Sequence, residues 1–321
     1  MGNICIGVDT SNYTTSLALC RDGKVIKSVR RLLPVDDGKC GLRQSDAVFL
    51  HVKALPELAG ELFSDESYSR EDVRAIGVSA SPRDVPGSYM PCFLAGISFA
   101  SGISESLKIP LYKFSHQSGH IMAAVYSSGN EGLIKSDFIS FHVSGGTTEA
   151  LCVKPKDGGF DCRKIGGTSD ANAGQIIDRA GVLLGLPFPC GKALDEMSQG
   201  AAEKVPPTSC VRDTFFSLSG LQNKFEAMIS EGEKAENAAL FLFESIARSI
   251  ERATVNIRKK YGDLPVLYAG GVMSNTVIRN RLSALKDAYF ASVELSSDNA
   301  AGTALLCEKA YISAKYEGAK D

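Results

Sequence analysis

Two of the four histidines in this chain stand with three residues between them, in Ser115-His116-Gln117-Ser118-Gly119-His120. On a helix, positions i and i+4 lie one above the other on one face. Two imidazoles spaced this way can grip one metal ion and leave room for a third ligand and a substrate. The same spacing also suits a pair of helix histidines that cap carbonyls or pack in a crevice. Asp298, in Ser296-Ser297-Asp298-Asn299 ahead of a helix of small residues, is the best-placed third ligand; an N-cap accounts for it equally well. A metallopeptidase would need a general base such as the glutamate of His-Glu-x-x-His, and Gln117 cannot deprotonate water.

Glycine turns offer a second chemistry. Ser144-Gly145-Gly146-Thr147 follows the apolar run Ile139 to Val143, and its backbone N–H groups can cradle phosphate oxygens. Gly145 and Gly146 let the backbone come close to a ligand. Pro265 to Val272 runs as a strand into Gly270-Gly271, and Ser274 or Asn275 then caps a helix from Thr276 to Leu285, a common seat for the base and ribose of a nucleotide. Asp9 ends the first strand, Ile4 to Asp9, and is followed by the hydroxyl-rich Thr10-Ser11-Asn12-Tyr13. An acid so placed can hold a metal-bound water near a phosphate, or it can be a solvated hairpin residue. Asp9 and Ser144 are the candidate catalytic residues.

The elements around these residues repeat. Strand, polar turn, strand, Asp22-Gly23 hairpin and strand open the chain; strand, Gly-rich turn, strand, Lys156-Asp157-Gly158-Gly159 hairpin and strand return about 135 residues later. This predicts an α/β protein of two duplicated lobes, residues 1–137 and 138–321. Between the repeats, Ser45 to Phe63 and Cys92 to Leu107 read as helices, Val73 to Ser79 as a strand, and Ile109 to Phe114 as the strand that delivers His116 into its helix. His51 has no partner in sequence and reads as structural or surface. Asn172 to Leu184 is helical, the Pro/Gly run Gly185 to Gly191 cannot be regular, and about 168–235 reads as a helical insertion on the second lobe. Ala238 to Lys260 is an amphipathic helix whose Arg248, Arg252, Arg258 and Lys259 form a solvated face first and a phosphate patch second.

Composition narrows the classes. With 321 residues, 44% hydrophobic content and a net charge of -2, the chain reads as globular, and no basic excess marks it as a general nucleic-acid binder. No apolar run reaches the ~18 residues of a membrane span. The chain enters a strand directly after Met1-Gly2-Asn3, so no signal peptide is expected. Nine scattered cysteines without a CxxC pair fit reduced thiols and a cytoplasmic setting.

Through nearly its whole length the chain resembles the tRNA threonylcarbamoyladenosine transferase family, once called glycoprotease or O-sialoglycoprotein endopeptidase. The resemblance is carried by His116 to His120, Val143 to Thr147, Asp170 to Gly191, Ser217 to Leu221, Ala269 to Val272 with Asn275, and Ser297-Asp298-Asn299. It implies the two-lobed actin-like and sugar-kinase ATPase fold. It implies metal ligands at His116, His120 and Asp298, and nucleotide contacts at Ser144, Gly145, Gly146, Thr147, Asp178, Gly191 and Asn275. The cofactors implied are one divalent metal (iron or zinc, with Mg or Mn as alternatives) and ATP, ADP or an acyl-adenylate whose carbamoyl group passes to the adenosine at tRNA position 37. Implied partners are a second copy or a family paralogue as dimer mate, a P-loop ATPase and tRNA, with no membrane.

The sequence also departs from the family pattern. Asn12-Tyr13-Thr14-Thr15 stands where a Cys-Asp-Glu-Thr run is usual, Gln222 where a lysine is usual, Thr147 where a histidine is usual, and Gln175 where a glutamate is usual. Donor-side positions are kept better than acceptor-side ones. The expectation is a threonylcarbamoyl-type transferase, with a non-catalytic or altered-acceptor paralogue as the alternative.

Overall fold

The structure is a computed structural model that describes residues 3–11, 13–34, 42–65, 68–292, 294–295 and 300–317. Its contacts gather into two units, one of residues 1–127, 155–161 and 297–321, the other of 128–154 and 162–296.

The first unit opens with β1 (Ile4–Ser11), β2 (Thr14–Arg21) and β3 (Lys24–Leu32), then α1 (Gln44–Leu62), β4 (Val73–Ser81), α2 (Phe93–Leu107), β5 (Leu111–Ser115) and α3 (His116–Ser127). Its sheet runs β3-β2-β1-β4-β5. The β1, β2 and β3 strands are antiparallel; β4 and β5 join parallel to β1. Asp22 and Gly23, both at positive φ (53° and 73°), make the tight β2–β3 turn that their dipeptide predicts. All eight residues of β1 are buried, because the strand is central and covered on both faces. Ala54, Leu55, Leu58, Leu62, Ala95 and Ala100 of α1 and α2 pack into the core on Ile4, Ile6 and Val8. The C-terminal helix Ala301–Glu317 packs on β1, β2 and β4 and against α3.

The second unit contains β6 (Phe138–Val143), β7 (Thr148–Lys156), β8 (Gly159–Thr168), α4 (Ala173–Leu183), α5 (Gly191–Ser198), β9 (Cys210–Arg212), β10 (Phe215–Ser217), α6 (Ser219–Ser230), α7 (Ala235–Tyr261), β11 (Val266–Ala269), α8 (Thr276–Leu282) and β12 (Ala288–Phe290); the C-terminal helix of the first unit is α9. The sheet order is β12-β11-β6-β7-β8-β10-β9. Read from β8 to β12, it repeats the order of the first sheet, with β7 antiparallel to β6 and β11 and β12 parallel to it. The duplication expected from the sequence is therefore one of topology. The core gathers on α7, whose Phe241, Phe243, Ile246, Ile250 and Ile257 are fully buried. Each such side chain contributes roughly 1.5–3 kcal/mol of burial.

Three expectations are revised. The last 25 residues, which chain order assigned to the second lobe, group with the first unit, because the small residues Ala301, Ala304 and Cys307 bury α9 there. The stretch 168–235 is not wholly helical: β10 pairs parallel with β8 and β9 antiparallel with β10, strands too short to leave a periodic signal. The α7 arginines are engaged within their own unit. Arg248 donates to the Pro207 carbonyl (3.0 Å), Arg252 to Ser209 Oγ (2.9 Å), and Arg258 to the Leu264 and Lys286 carbonyls (2.9 and 2.6 Å). They clamp loops, which leaves little of the basic face as a phosphate patch.

Candidate functional site

In the first unit, β5 runs straight into α3, so His116 is the first helical residue; the Ser115 hydroxyl caps the turn by accepting from Ser118 N–H at 3.1 Å. His116 and His120 then share one face. Their Nε2 atoms are 2.9 Å apart, a gap that one ion at about 2.1 Å from each nitrogen spans. The other ring nitrogen of His116 is held by Asp9, with Nδ1 to Oδ2 at 2.7 Å. A carboxylate on Nδ1 fixes the tautomer and turns the Nε2 lone pair outward, as behind metal-ligating histidines. The donor set therefore fits a divalent metal.

Asp9 itself is 1% exposed, and its Oδ1 accepts from Ser11 N–H at 2.9 Å. Burial alone would raise its carboxyl pKa; the charge and hydrogen bond of His116, with hydrogen bonds from Ser79 and Ser11, outweigh burial and hold it below the ordinary value. Each of its oxygens accepts from a protein donor, Oδ1 from Ser11 N–H and Oδ2 from His116, so it holds the His116 ring. Asp298 lies outside the described residues, among which no group of three or more His, Cys, Asp or Glu side chains could hold a metal. His51 is fully buried in α1 with Nδ1 2.7 Å from Thr15 Oγ1, and burial depresses its pKa to about 4.

The second unit carries a cavity of 450 Å³ lined by Ser144, Gly145, Asp178, Gly191, Gly271 and Asn275. Residues from both ends of the unit's sequence thus meet in one pocket. Its entrance turn is self-closed: Ser144 N–H donates to the Thr147 carbonyl (2.7 Å), and Ser144 Oγ accepts from Thr147 N–H (3.1 Å). The Ser144 hydroxyl, the second candidate catalytic group, takes part in this turn. Thr147 and Gly146 belong to the same turn, and Asn172 Nδ2 fixes it by donating to the Gly146 carbonyl at 2.9 Å. Gly270, at φ 101°, packs behind: a Cβ there would lie 2.3 Å from the Val143 carbonyl oxygen. By contrast a Cβ on Gly145, Gly146 or Gly271 would meet nothing within 4 Å. Protein packing does not require glycine at these three positions, and the space they leave is open to a ligand.

Asn275 is the most telling residue of the pocket. Its Oδ1 caps α8 by accepting from Ile278 N–H at 2.9 Å, which fixes the amide orientation. Its Nδ2 is then a donor, buried in a residue only 5% exposed and without a partner among the described residues. Such a donor costs about 1–3 kcal/mol unless a ligand or water accepts from it. Asp178 Oδ1 accepts from Cys190 N–H at 2.9 Å and so ties the proline-rich loop to α4.

The pocket also contains residues that sequence reasoning missed: Ile177, Lys192, Asp195 and Phe243. Asp195 accepts from Thr276 N–H (2.9 Å) and Oγ1 (2.8 Å), locking α5 to the start of α8. The signal for Lys192 and Asp195 was their place one and four residues after Gly191, on one face of the helix that this glycine begins.

Comparison with known proteins adds identity to this geometry. The curated tRNA N6-adenosine threonylcarbamoyltransferase of Carboxydothermus hydrogenoformans is 28% identical, with 98% of this chain and 95% of that protein covered. An enzyme of the same name from Thermus thermophilus is 31% identical over 94% of this chain and 90% of its own. Among solved structures, the fold matches the activator of the 2-hydroxyisocaproyl-CoA dehydratase from Clostridium difficile (TM-score 0.54, 13% identity, 98% of this chain and 97% of that one). It also matches a ROK family glucokinase from Streptomyces griseus (TM-score 0.50, 12% identity, 95% and 98%). These likenesses identify the fold as the actin-like and sugar-kinase ATPase fold. The sequence model for tRNA N6-adenosine threonylcarbamoyltransferase matches residues 41–305, and the chain belongs to that family.

Proposed function

We propose that this protein binds a divalent metal through His116 and His120, with Asp298 as third ligand, and an adenine nucleotide or acyl-adenylate in the pocket of its second unit. The reaction class is transfer of a threonylcarbamoyl group to the exocyclic amine of an adenosine in tRNA. The amine nitrogen bonds to the carbamoyl carbon, the bond from that carbon to the adenylate phosphate oxygen breaks, AMP leaves and the amine loses a proton. The observation that carries the nucleotide reading is Asn275, which lines a pocket bordered by glycines that no protein contact requires and whose buried Nδ2 has no partner among the described residues.

Each residue has a stated task. The N–H groups of Gly145 and Gly146 offer donors to phosphate oxygens, Asn275 offers a donor to the nucleoside, and Asp9 keeps His116 Nε2 available. A metal held by the histidines would supply a Lewis acid, and the residues around each ligand orient it and stabilise charge without a covalent nucleophile.

The acceptor side favours a restricted activity. Tyr13 is 37% exposed and Thr14 is buried, and neither can supply a carboxylate. Gln222, at the position of the usual lysine, accepts from Arg179 (3.0 Å) and donates to Glu226 (2.9 Å). We expect the chain to bind adenylate-type ligands yet to modify tRNA weakly or not at all by itself, its partners being a second copy or a family paralogue and a P-loop ATPase. The test supplies threonylcarbamoyl-adenylate and unmodified tRNA, with and without the other family members of the organism, and analyses the digested nucleosides. Robust modification by this chain alone refutes the restricted reading and leaves a plain transferase.

A further inference from the structure

Three elements wall the pocket of the second unit: α4 with Asp178, α5 with Gly191 and Asp195, and the approach to α8 with Asn275. Thr276, the residue after Asn275, joins two of these walls. Its N–H donates to Asp195 Oδ2 at 2.9 Å and its hydroxyl to Asp195 Oδ1 at 2.8 Å. Donor arithmetic fixes the rest. A carboxylate only accepts, so the single proton of the Thr276 hydroxyl lies toward Asp195. The Gln199 amide atom 2.8 Å from that oxygen must then be the donor Nε2. Gln199 lies four residues after Asp195, so α5 and its C-terminal cap hold Thr276 at two points.

Asp195 lines the cavity, yet each of its carboxylate oxygens accepts from Thr276, which does not line it. The start of α5 is tied as well, since Asp178 Oδ1 accepts from Cys190 N–H at 2.9 Å. This short helix is thus strung between α4 and α8. We propose, on the nucleotide reading of this pocket, that Asp195 and Thr276 are positioning residues for the nucleotide. Their paired hydrogen bonds fix the start of α8 against α5, and with it Asn275, whose Oδ1 caps α8 through Ile278 N–H at 2.9 Å. Asp195 acts through Thr276 and does not itself grip the ligand. A spacing set by the protein spares the ligand the cost of ordering the two walls.

The test is the affinity of the full chain for ADP and ATP by titration calorimetry, with thermal unfolding of each unliganded variant alongside. Thr276→Val keeps the side-chain shape and removes the hydroxyl, Thr276→Ser keeps the hydroxyl, and Asp195→Asn replaces one acceptor oxygen by a donor. Thr276 is exposed and Asp195 half-buried, so these variants should fold. Thr276→Val should bind about 3- to 10-fold more weakly, the worth of one hydrogen bond, and Asp195→Asn about 10-fold. Thr276→Ser should bind as the parent does. Because one residue acts through the other, the double variant should bind within about 2-fold of Asp195→Asn alone. Parental affinity in Thr276→Val or in Asp195→Asn overturns the proposal. Equal weakening in Thr276→Val and Thr276→Ser also overturns it, by assigning the effect to packing. A double variant whose loss is the product of the two single losses does the same, by making Asp195 an independent contact of the ligand. If the parent binds neither ADP nor ATP, the nucleotide reading itself falls and this proposal falls with it.

Discussion

Gly302→Ala gives a test in which helix propensity and packing predict opposite signs. By propensity alone, alanine should stabilise a helix by up to about 1 kcal/mol relative to glycine. Packing says otherwise. A methyl group at Gly302 would sit 1.8 Å from the Gly119 carbonyl oxygen and 2.8 Å from Ala123 N. Both obstacles are backbone, so no rotamer change relieves them. Moving the oxygen contact out to 3.0 Å, below which real Cβ atoms essentially never sit, requires α3 and α9 to separate by about 1.2 Å. Overpacking of this kind costs about 3 kcal/mol, at the upper end of its usual range. With propensity returning at most about 1 kcal/mol, the net loss is about 2 kcal/mol, which lowers the melting temperature by roughly 4–8 °C in a protein of this class.

Denaturant and thermal unfolding of Gly302→Ala should be read beside Gly102→Ala. Gly102 lies inside α2, where a Cβ would meet nothing within 4 Å, so that variant should gain stability. Because Gly119 lies between His116 and His120, Gly302→Ala should also weaken metal uptake. A Gly302→Ala protein as stable as the parent, or stabilised like Gly102→Ala, refutes the close approach of α9 to α3.

Asn275→Asp keeps an acceptor for Ile278 N–H, and with it the α8 cap, but removes the amide donor. The unliganded protein should melt near the parental temperature, while the upward shift given by saturating ADP or ATP should shrink; an undiminished shift would place the nucleotide elsewhere. Asp170 gathers Leu218 N–H, the Ser217 and Ser219 hydroxyls and Ala171 N–H; burial works to raise its carboxyl pKa, and these donors hold it well below the usual range. The depressed folded value means its contribution is present above the unfolded pKa of about 3.9 and lost as pH falls toward the folded one. Asp170→Asn should therefore lower stability at neutral pH and flatten its decline below pH about 4, so a denaturation series across that range with parental slope would exclude the role.

The sequence determined the periodic and local features. The His116–His120 spacing places two rings on one helix face whatever surrounds the helix, and Asp22-Gly23 specifies a turn by its backbone preferences alone. The duplicated strand, turn and hairpin order was legible because each strand writes its own pattern. The Gly145-Gly146 turn and the Gly270-Gly271 start of a helix were legible for the same reason.

Tertiary structure decided what depends on distant partners. Nothing local distinguishes Asp9 as a solvated hairpin acid from Asp9 as the buried partner of a histidine 107 residues away. Nothing in the stretch around Gly119 announces that a helix nearly 200 residues later lies against it. Nothing local marks Asp195 as the acceptor that holds the start of α8, 81 residues later. The strands β9 and β10 exist because an edge of the sheet is there to pair with them, and three residues carry no period of their own. Side-chain chemistry and helical or strand period are properties of a short stretch of chain, whereas the partner of a buried carboxylate or the neighbour of a glycine is fixed only when the chain closes on itself.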